Sequence, residues 1–205
     1  QTYYNLGISF KNCGKFLESE SSYRQAIFLN PNYVEAYNNL ANLQKKLNKM
    51  QEAEINYKRA IELNSDFAEP YYNLGTLYQK TNKTLEAEAN FIIAIKLKPN
   101  YAEAHNNLGS LFQELEKLEE AESCFRKSVS LNPNLMDAYL NLFELLEKLN
   151  RINEGFKIIN NLEDTMGLKS PDLFLFKAIF LYRLKKFEDF ESVINEIKIH
   201  DISTH

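Results

Sequence analysis

The chain repeats itself with a period of 34 residues. Five segments share a ring-bearing residue followed two positions later by Asn-Leu, and they align without an insertion: residues 3–7, 37–41, 71–75, 105–109 and 139–143. A period of this length, made of two halves that are each long enough for a helix, predicts stacked helical hairpins that bury their apolar faces only against their neighbours. We therefore expect an all-α array of antiparallel helix hairpins, with a long open surface and no obvious pocket for chemistry.

Each repeat carries two turn signals. Between the helices of a hairpin stand residues suited to the left-handed conformation, with Glu116 as the poorest choice among them: Gly14, Asn48, Asn82, Glu116 and Asn150. Between hairpins stands proline, at Pro31, Pro99 and Pro133. Small residues at Gly7, Ala41, Gly75 and Gly109 are expected to face small residues of the paired helix: Ala26, Ala60, Ala94 and Ser128.

These residues resemble the tetratricopeptide repeat. An aromatic residue, Leu-Gly or Leu-Ala, a further aromatic, Ala with Tyr or Phe in the second helix, another Ala and then Pro recur over residues 1–135 as four regular repeats. The resemblance implies a right-handed superhelical solenoid, in which the first helix of each repeat lines a concave groove.

The pattern weakens after residue 135. We predict a divergent fifth repeat at 136–169, a divergent sixth helical pair or C-terminal cap at 170–200, and a disordered tail at 201–205. The apolar run in residues 173–182 has two explanations: burial by neighbouring helices, or self-association through residues 170–200. The chain starts at Gln1 within an expected helical turn, so we expect it to be cut from a longer protein.

The composition argues against several classes of function. A formal charge of -4 gives no sign of a nucleic-acid partner. No apolar run is long enough to cross a membrane, so no membrane partner is expected. Cys13 and Cys124 occupy different places in their repeats, which gives a disulfide no geometric basis and favours a reducing, cytoplasmic compartment. Neither a metal-ligand spacing nor a cofactor motif is present, and His105 is interpreted as a packing residue.

One row along the array is unvaried, and we name it the amide row: Asn5, Asn39, Asn73, Asn107 and Asn141. Asparagine is a mediocre helix former, so helix propensity does not explain its place inside five helices. Its amide carries the donors and the acceptor that complement a peptide backbone. We expect the row to be exposed and to bind an extended peptide, together with Asn38, Asn42 and Asn106. The alternative is that duplicated repeats inherited the residue.

The amide row also resembles the repeat region of the O-linked N-acetylglucosamine transferases, which implies a grip on acceptor polypeptides. By contrast, the carboxylate clamp of chaperone-binding tetratricopeptide proteins is lacking, because Asn38, Glu103 and Asn107 stand where its basic residues should be. Acidic residues begin the first helices and basic residues end them, which matches the helix dipole. These are Glu35, Glu69, Glu103 and Asp137, and Lys11, Lys45, Lys46, Lys80 and Lys148.

Two functions fit the sequence. The first is a non-catalytic interaction module, a scaffold that holds an extended segment of a protein partner in its groove. The second is the substrate-recognition arm of a larger enzyme, such as a glycosyltransferase, whose catalytic domain lies outside these residues. No Ser-His-Asp or Cys-His set and no phosphate loop is readable, so no enzyme is predicted within the chain itself.

Overall fold

The computed structural model describes residues 1–166 and 171–202. Within these ranges the chain forms α-helices and no strands. The helices, numbered α1 to α12 in chain order, are Thr2–Asn12, Phe16–Leu29, Val34–Lys46, Met50–Leu63, Ala68–Lys80, Thr84–Leu97, Ala102–Glu114, Leu118–Leu131, Met136–Lys148, Ile152–Met166, Pro171–Arg183 and Phe187–Ile202. The predicted all-α array of helix hairpins is confirmed.

The turns inside the hairpins follow the sequence prediction. Every residue predicted to be left-handed has a positive φ, including Glu116 at 58°. Lys185 also has a positive φ, 58°, in a turn that the sequence pattern did not single out. In the α3–α4 turn, the N–H of Lys49 donates to the carbonyl of Gln44 (2.9 Å) and that of Asn48 to Lys45 (3.1 Å). This paired bonding at a left-handed residue is the Schellman ending of a helix.

The turns between hairpins depend on asparagine as well as proline. The side-chain oxygens of Asn30, Asn64 and Asn132 each accept a hydrogen bond from the backbone N–H two residues later, at 3.1 to 3.2 Å. The same turn therefore forms at Ser65, where proline is missing, because the asparagine before it is retained.

The chain divides into two compact units, residues Gln1–Leu111 and Phe112–His205. The 34-residue period does not predict this division, which falls inside α7. In each unit the helices pack on their neighbours in the chain, with α1 to α6 paired in unit 1 and α8 to α12 in unit 2. This is the packing expected of a repeat array.

Gly7 and Gly75 lie close to aromatic rings of the second helices. The nearest atoms to a Cβ added at Gly7 belong to the Tyr23 ring, at 2.6 Å, and those at Gly75 belong to Phe91, at 2.8 Å. Both rings are fully buried. The nearest neighbour of each glycine is therefore an aromatic side chain of the second helix, which the sequence analysis did not name.

Unit 2 has its own aromatic core. Phe143 takes the place of the small residue in the fifth repeat, is fully buried, and meets Phe180 edge-on with ring centroids 6.0 Å apart. A Cβ at Gly155 would clash with that same Phe180 ring. The fifth repeat thus has Phe143 where the regular repeats have a small residue, and Gly155 where most of them have alanine. The methyl group missing at Gly155 leaves room for the Phe180 ring that packs on Phe143.

The last two helices lie in the region where the sequence analysis expects a sixth helical pair or C-terminal cap. α11 and α12 pack together around Phe174, Ala178, Leu181 and Val193. α12 continues to Ile202, so the first part of the predicted tail is helical, while residues 203–205 lie outside the described residues. Most of the apolar run is buried, but Leu175 and Tyr182 are exposed. Self-association through residues 170–200 stays a prediction.

Candidate functional site

The first helices of the repeats carry the amide row, as the register predicts. Asn5 lies on α1, Asn39 on α3, Asn73 on α5 and Asn107 on α7, all in unit 1. Asn141 lies on α9 in unit 2 and is half-buried.

In unit 1 the amide row links successive first helices. The side-chain nitrogen of Asn39 donates to the Tyr4 hydroxyl (2.8 Å), that of Asn73 to the side-chain oxygen of Asn38 (3.0 Å), and that of Asn107 to the Tyr72 hydroxyl (3.2 Å). Each partner lies 35 residues earlier in the chain. The row therefore joins α1 to α3, α3 to α5 and α5 to α7, which the sequence pattern did not predict.

These contacts correct the expected exposure of the site. Asn39, Asn73 and Asn107 are half-buried, and Asn5 is exposed. Asn38 and Asn106 are buried, each 7% exposed. The cause is the neighbouring repeat, which covers this face of each first helix, whereas the sequence argument considered one helix at a time.

Asn42 is also engaged with the protein. Its side-chain oxygen accepts a hydrogen bond of 2.7 Å from the hydroxyl of Tyr57, a fully buried residue of α4. Burial raises the pKa of the Tyr57 phenol, so it remains a hydrogen-bond donor at neutral pH. Asn42 thereby satisfies a buried hydroxyl from the core, and its own N–H groups remain for other partners.

The amide row of unit 1 keeps unused hydrogen-bonding capacity. In the described residues, the side-chain oxygens of Asn39, Asn73 and Asn107 accept no hydrogen bond from the protein, and each amide uses one of its two N–H groups. The inter-repeat bonds hold these amides in defined orientations. A row of oriented acceptors can pair with the N–H groups of an extended backbone.

Two tyrosines belong to this face, and the sequence analysis missed them. Tyr4 and Tyr72 occupy the register position that Asn38 and Asn106 fill in the other repeats, so the position alternates between tyrosine and asparagine. The Tyr4 ring packs on Tyr33 with centroids 4.9 Å apart, and the Tyr72 ring packs on Tyr101 at 4.8 Å. The alternation along the 34-residue register was the available signal.

Acidic residues lie near these tyrosines, whereas the basic residues of the first helices lie at the other helix ends. Burial, and then the carboxylate of Glu103, raise the pKa of Tyr72; burial, Tyr33 and Glu35 raise the pKa of Tyr4. The acidic residues thus act on the tyrosines from the first turns of α3 and α7. The basic residues noted in the sequence lie at the opposite ends of the first helices, in the last turns of α1, α3, α5 and α9.

The sequence analysis also missed a set of ion pairs that recurs with the repeat. Glu20 pairs with Lys49 (2.9 Å) and Glu54 with Lys83 (3.1 Å), in both cases across 29 residues. Each carboxylate also pairs with a base one turn later on its own helix, Arg24 or Lys58. The signal was a glutamate four residues before Arg or Lys in α2, α4 and α8, with a Lys or Arg in the following turn 29 residues after the glutamate.

No group of residues that could hold a metal ion occurs in the described part of the chain. Among residues 1–166 and 171–202, no helix has the length and apolarity needed to cross a membrane.

Comparison with known protein families gives a consistent result. Models described as tetratricopeptide repeat match residues 1–33, 34–67, 56–89 and 102–135, which together span more than half of the chain. A search of curated protein sequences gives no match.

Solved structures with similar folds include tetratricopeptide proteins. The Pseudomonas aeruginosa protein PilF matches with a TM-score of 0.82 and 21% identity, over 96% of this chain and 89% of its own. PilW, a type IV pilus biogenesis factor, matches with a TM-score of 0.80 and 17% identity, over 97% of this chain and 91% of its own. YrrB, described as a tetratricopeptide protein with an unusual peptide-binding site, gives 0.65 and 23%, over 85% and 90%. At these identities the likeness concerns the fold alone.

Proposed function

Because the chain belongs to the tetratricopeptide repeat family, whose arrays serve protein interaction, we propose that it is a scaffold whose amide row binds an extended polypeptide segment. The observation that carries this proposal is the set of oriented, unused amide oxygens of Asn39, Asn73 and Asn107. A peptide lying in the groove expected of such arrays would donate its backbone N–H groups to them.

Binding a peptide with useful affinity requires several hydrogen bonds at once. A hydrogen bond between neutral partners contributes about 1 kcal/mol net, which is about fivefold in affinity. Three such bonds give weak binding, and the half-buried rings of Tyr4 and Tyr72 add apolar contact area beside them. The YrrB description, a tetratricopeptide protein with a peptide-binding site, supports this kind of ligand. The arm of a larger glycosyltransferase-like enzyme stays a prediction.

A peptide-array screen on the full chain tests the proposal. The variant Asn5→Ala, Asn39→Ala, Asn107→Ala removes three amides but keeps Asn73, whose hydrogen bond to the buried Asn38 supports the fold. Asn90→Ala is the matched control, because Asn90 lies on α6, a second helix without amide-row residues, and among the described residues its amide donates to the Glu86 carbonyl of its own helix in a solvent-exposed hydrogen bond.

We expect the chain and its Asn90→Ala control to bind a broad set of extended peptides that the triple variant binds at least about tenfold more weakly. Circular dichroism establishes that the variants are folded. Equal binding by the triple variant, or no binding by the unaltered chain, would show that the amide row is not a peptide site.

A further inference from the structure

Lys45 is a half-buried lysine of unit 1 whose partner is a neutral oxygen. It lies in the last turn of α3, and its ammonium group donates a 2.7 Å hydrogen bond to the Thr76 hydroxyl on α5. That hydroxyl in turn donates to the Asn73 carbonyl at 2.7 Å. In the described residues no carboxylate forms an ion pair with Lys45, so a neutral oxygen is the partner of this cation.

Several surrounding lysines have a carboxylate, and not a neutral oxygen, as their partner. Four of them form an ion pair with a carboxylate, with N–O distances of 2.7 to 3.2 Å: Lys49, Lys58, Lys83 and Lys98. Their side chains are 39 to 54% exposed, so water also reaches them. Lys45, by contrast, has the neutral hydroxyl of Thr76 as its partner.

The environment of Lys45 disfavours its charge. Burial, and then the like charge of Lys80, lower the pKa of the Lys45 ammonium. Removing a cation partly from water without an anion is unfavourable, and an anionic ligand would reverse that effect. Lys80 is exposed in the last turn of α5 and can reach the same ligand.

A hydrogen-bond donor completes the site. Asn42 stands one turn before Lys45 on α3, so their side chains are neighbours on the helix surface. The Asn42 oxygen is occupied by the Tyr57 hydroxyl, which leaves its N–H groups to donate. Two cations and an amide donor thus lie on the adjoining helices α3 and α5, and none of these groups accepts a proton at neutral pH. The chemistry of this set suits a carboxylate.

We propose that Lys45, Lys80 and Asn42 form a subsite for the side-chain carboxylate of an aspartate or glutamate in the bound peptide. The inference rests on the proposed function and names the substrate class: an extended segment with an acidic residue placed over the last turn of α3. Glu35 in the first turn of the same helix repels a carboxylate at the other end, which fixes where along α3 the acidic residue lies.

The test uses capped dodecapeptides of randomised sequence, synthesised in pairs in which every glutamate of one member is glutamine in the other. N-acetyl and C-amide groups make side chains the only carboxylates. Binding is measured for the full chain, for Lys45→Gln and for Lys96→Gln. Lys96→Gln removes the same charge from an exposed residue of α6.

We expect the unaltered chain to prefer the glutamate member about tenfold, as a charge-assisted hydrogen bond implies. Lys45→Gln should reduce that preference to less than about twofold, and Lys96→Gln should keep it. Should Lys45→Gln fail to fold, the exposed Lys80→Gln should reduce the preference about threefold.

Two results would overturn the subsite. One is equal binding of both members by the unaltered chain, which would leave the peptide-binding function standing. The other is a full glutamate preference in Lys45→Gln. Failure to bind either member would overturn the subsite and the proposed function together.

Discussion

At the scale of single residues, the hydrogen-bond partner of each amide determines how much that amide contributes to the stability of the fold. Asn73 and Asn39 occupy the same place in successive repeats, yet Asn73 donates to Asn38, which is 7% exposed, while Asn39 donates to the half-buried hydroxyl of Tyr4. Water can replace the second hydrogen bond but reaches the first partner poorly. The two residues are therefore not equivalent in spite of their identical register.

We predict that Asn73→Ala lowers the free energy of unfolding by about 1–2 kcal/mol, because a buried acceptor on Asn38 is left unpaired. Asn39→Ala should change it by less than about 0.5 kcal/mol, since water replaces the lost bond and alanine favours the helix. Urea unfolding of the two variants measures the difference. Equal losses would contradict the inter-repeat role of Asn73.

Glu116 is a residue in an unfavourable conformation. It has φ 58°, and its carboxylate pairs with Lys148 at 2.9 Å, with both side chains largely exposed. We predict that Glu116→Gly raises the free energy of unfolding by about 0.5–1 kcal/mol, because relief of left-handed strain exceeds the loss of a surface ion pair. Asn82→Gly, at the equivalent turn, should be close to neutral. A destabilised Glu116→Gly would show that the ion pair dominates.

At the scale of helices, ion pairs join α2, α4 and α8 to the turn that precedes the next second helix. Glu20 is 6% exposed and lies between Arg24 and Lys49. Burial alone would raise the pKa of the Glu20 carboxyl, but the hydrogen bonds from Lys49 and Arg24 outweigh it, and the pKa falls below its ordinary value of 4.5. The ion pairs of Glu54 and Glu154 lower the pKa of these carboxyls in the same way.

A lowered carboxyl pKa stabilises the fold above the unfolded value of 4.5 and loses that contribution as pH falls through the folded pKa. We predict a melting temperature that is flat from neutral pH to about pH 5.5 and that falls below about pH 4.5. Glu20→Gln should lower the free energy of unfolding at pH 7 by about 1–2 kcal/mol, and the gap to the unaltered chain should close below about pH 4. A gap that is independent of pH would rule out this contribution.

The helices were predictable from the sequence because their signals are local. Asn48, Asn82 and Glu116 end helices through their own backbone conformations, and the 34-residue register places each hairpin. The compensation between Phe143 and Gly155 was not predictable, since it depends on Phe180 from a different hairpin. The bond from Asn73 to Asn38 was missed for the same reason: periodicity gives the face of a helix but not the side chain opposite.

At the scale of the whole molecule, contacts are made between neighbouring helices inside each unit. In such arrays stability is close to a sum of terms for each repeat and for each interface between neighbours. A defect in one hairpin should therefore weaken its own surroundings first. The Phe143 and Phe180 core of unit 2 is a suitable place to observe this.

We predict that Gly155→Ala destabilises unit 2 by about 1–3 kcal/mol, because the added Cβ would clash with the buried ring of Phe180. Amide hydrogen exchange should accelerate in α9 to α11 while α3 and α4 keep their protection. Gly75→Ala is the comparison in unit 1. Its Cβ would lie 2.8 Å from Phe91, but Ala41 holds the equivalent place in the second repeat, so the packing can adjust and the effect should be smaller. Uniform acceleration through both units would contradict a sum of neighbour terms.

In the proposed function, the amide row binds a peptide by its backbone. The most direct measurement compares the affinity of a bound peptide with that of the same peptide N-methylated at alternate residues, which keeps every side chain but removes the N–H donors. We predict a loss of about fivefold for each contacted N–H. Unchanged affinity at every methylated position would contradict backbone recognition by Asn39, Asn73 and Asn107.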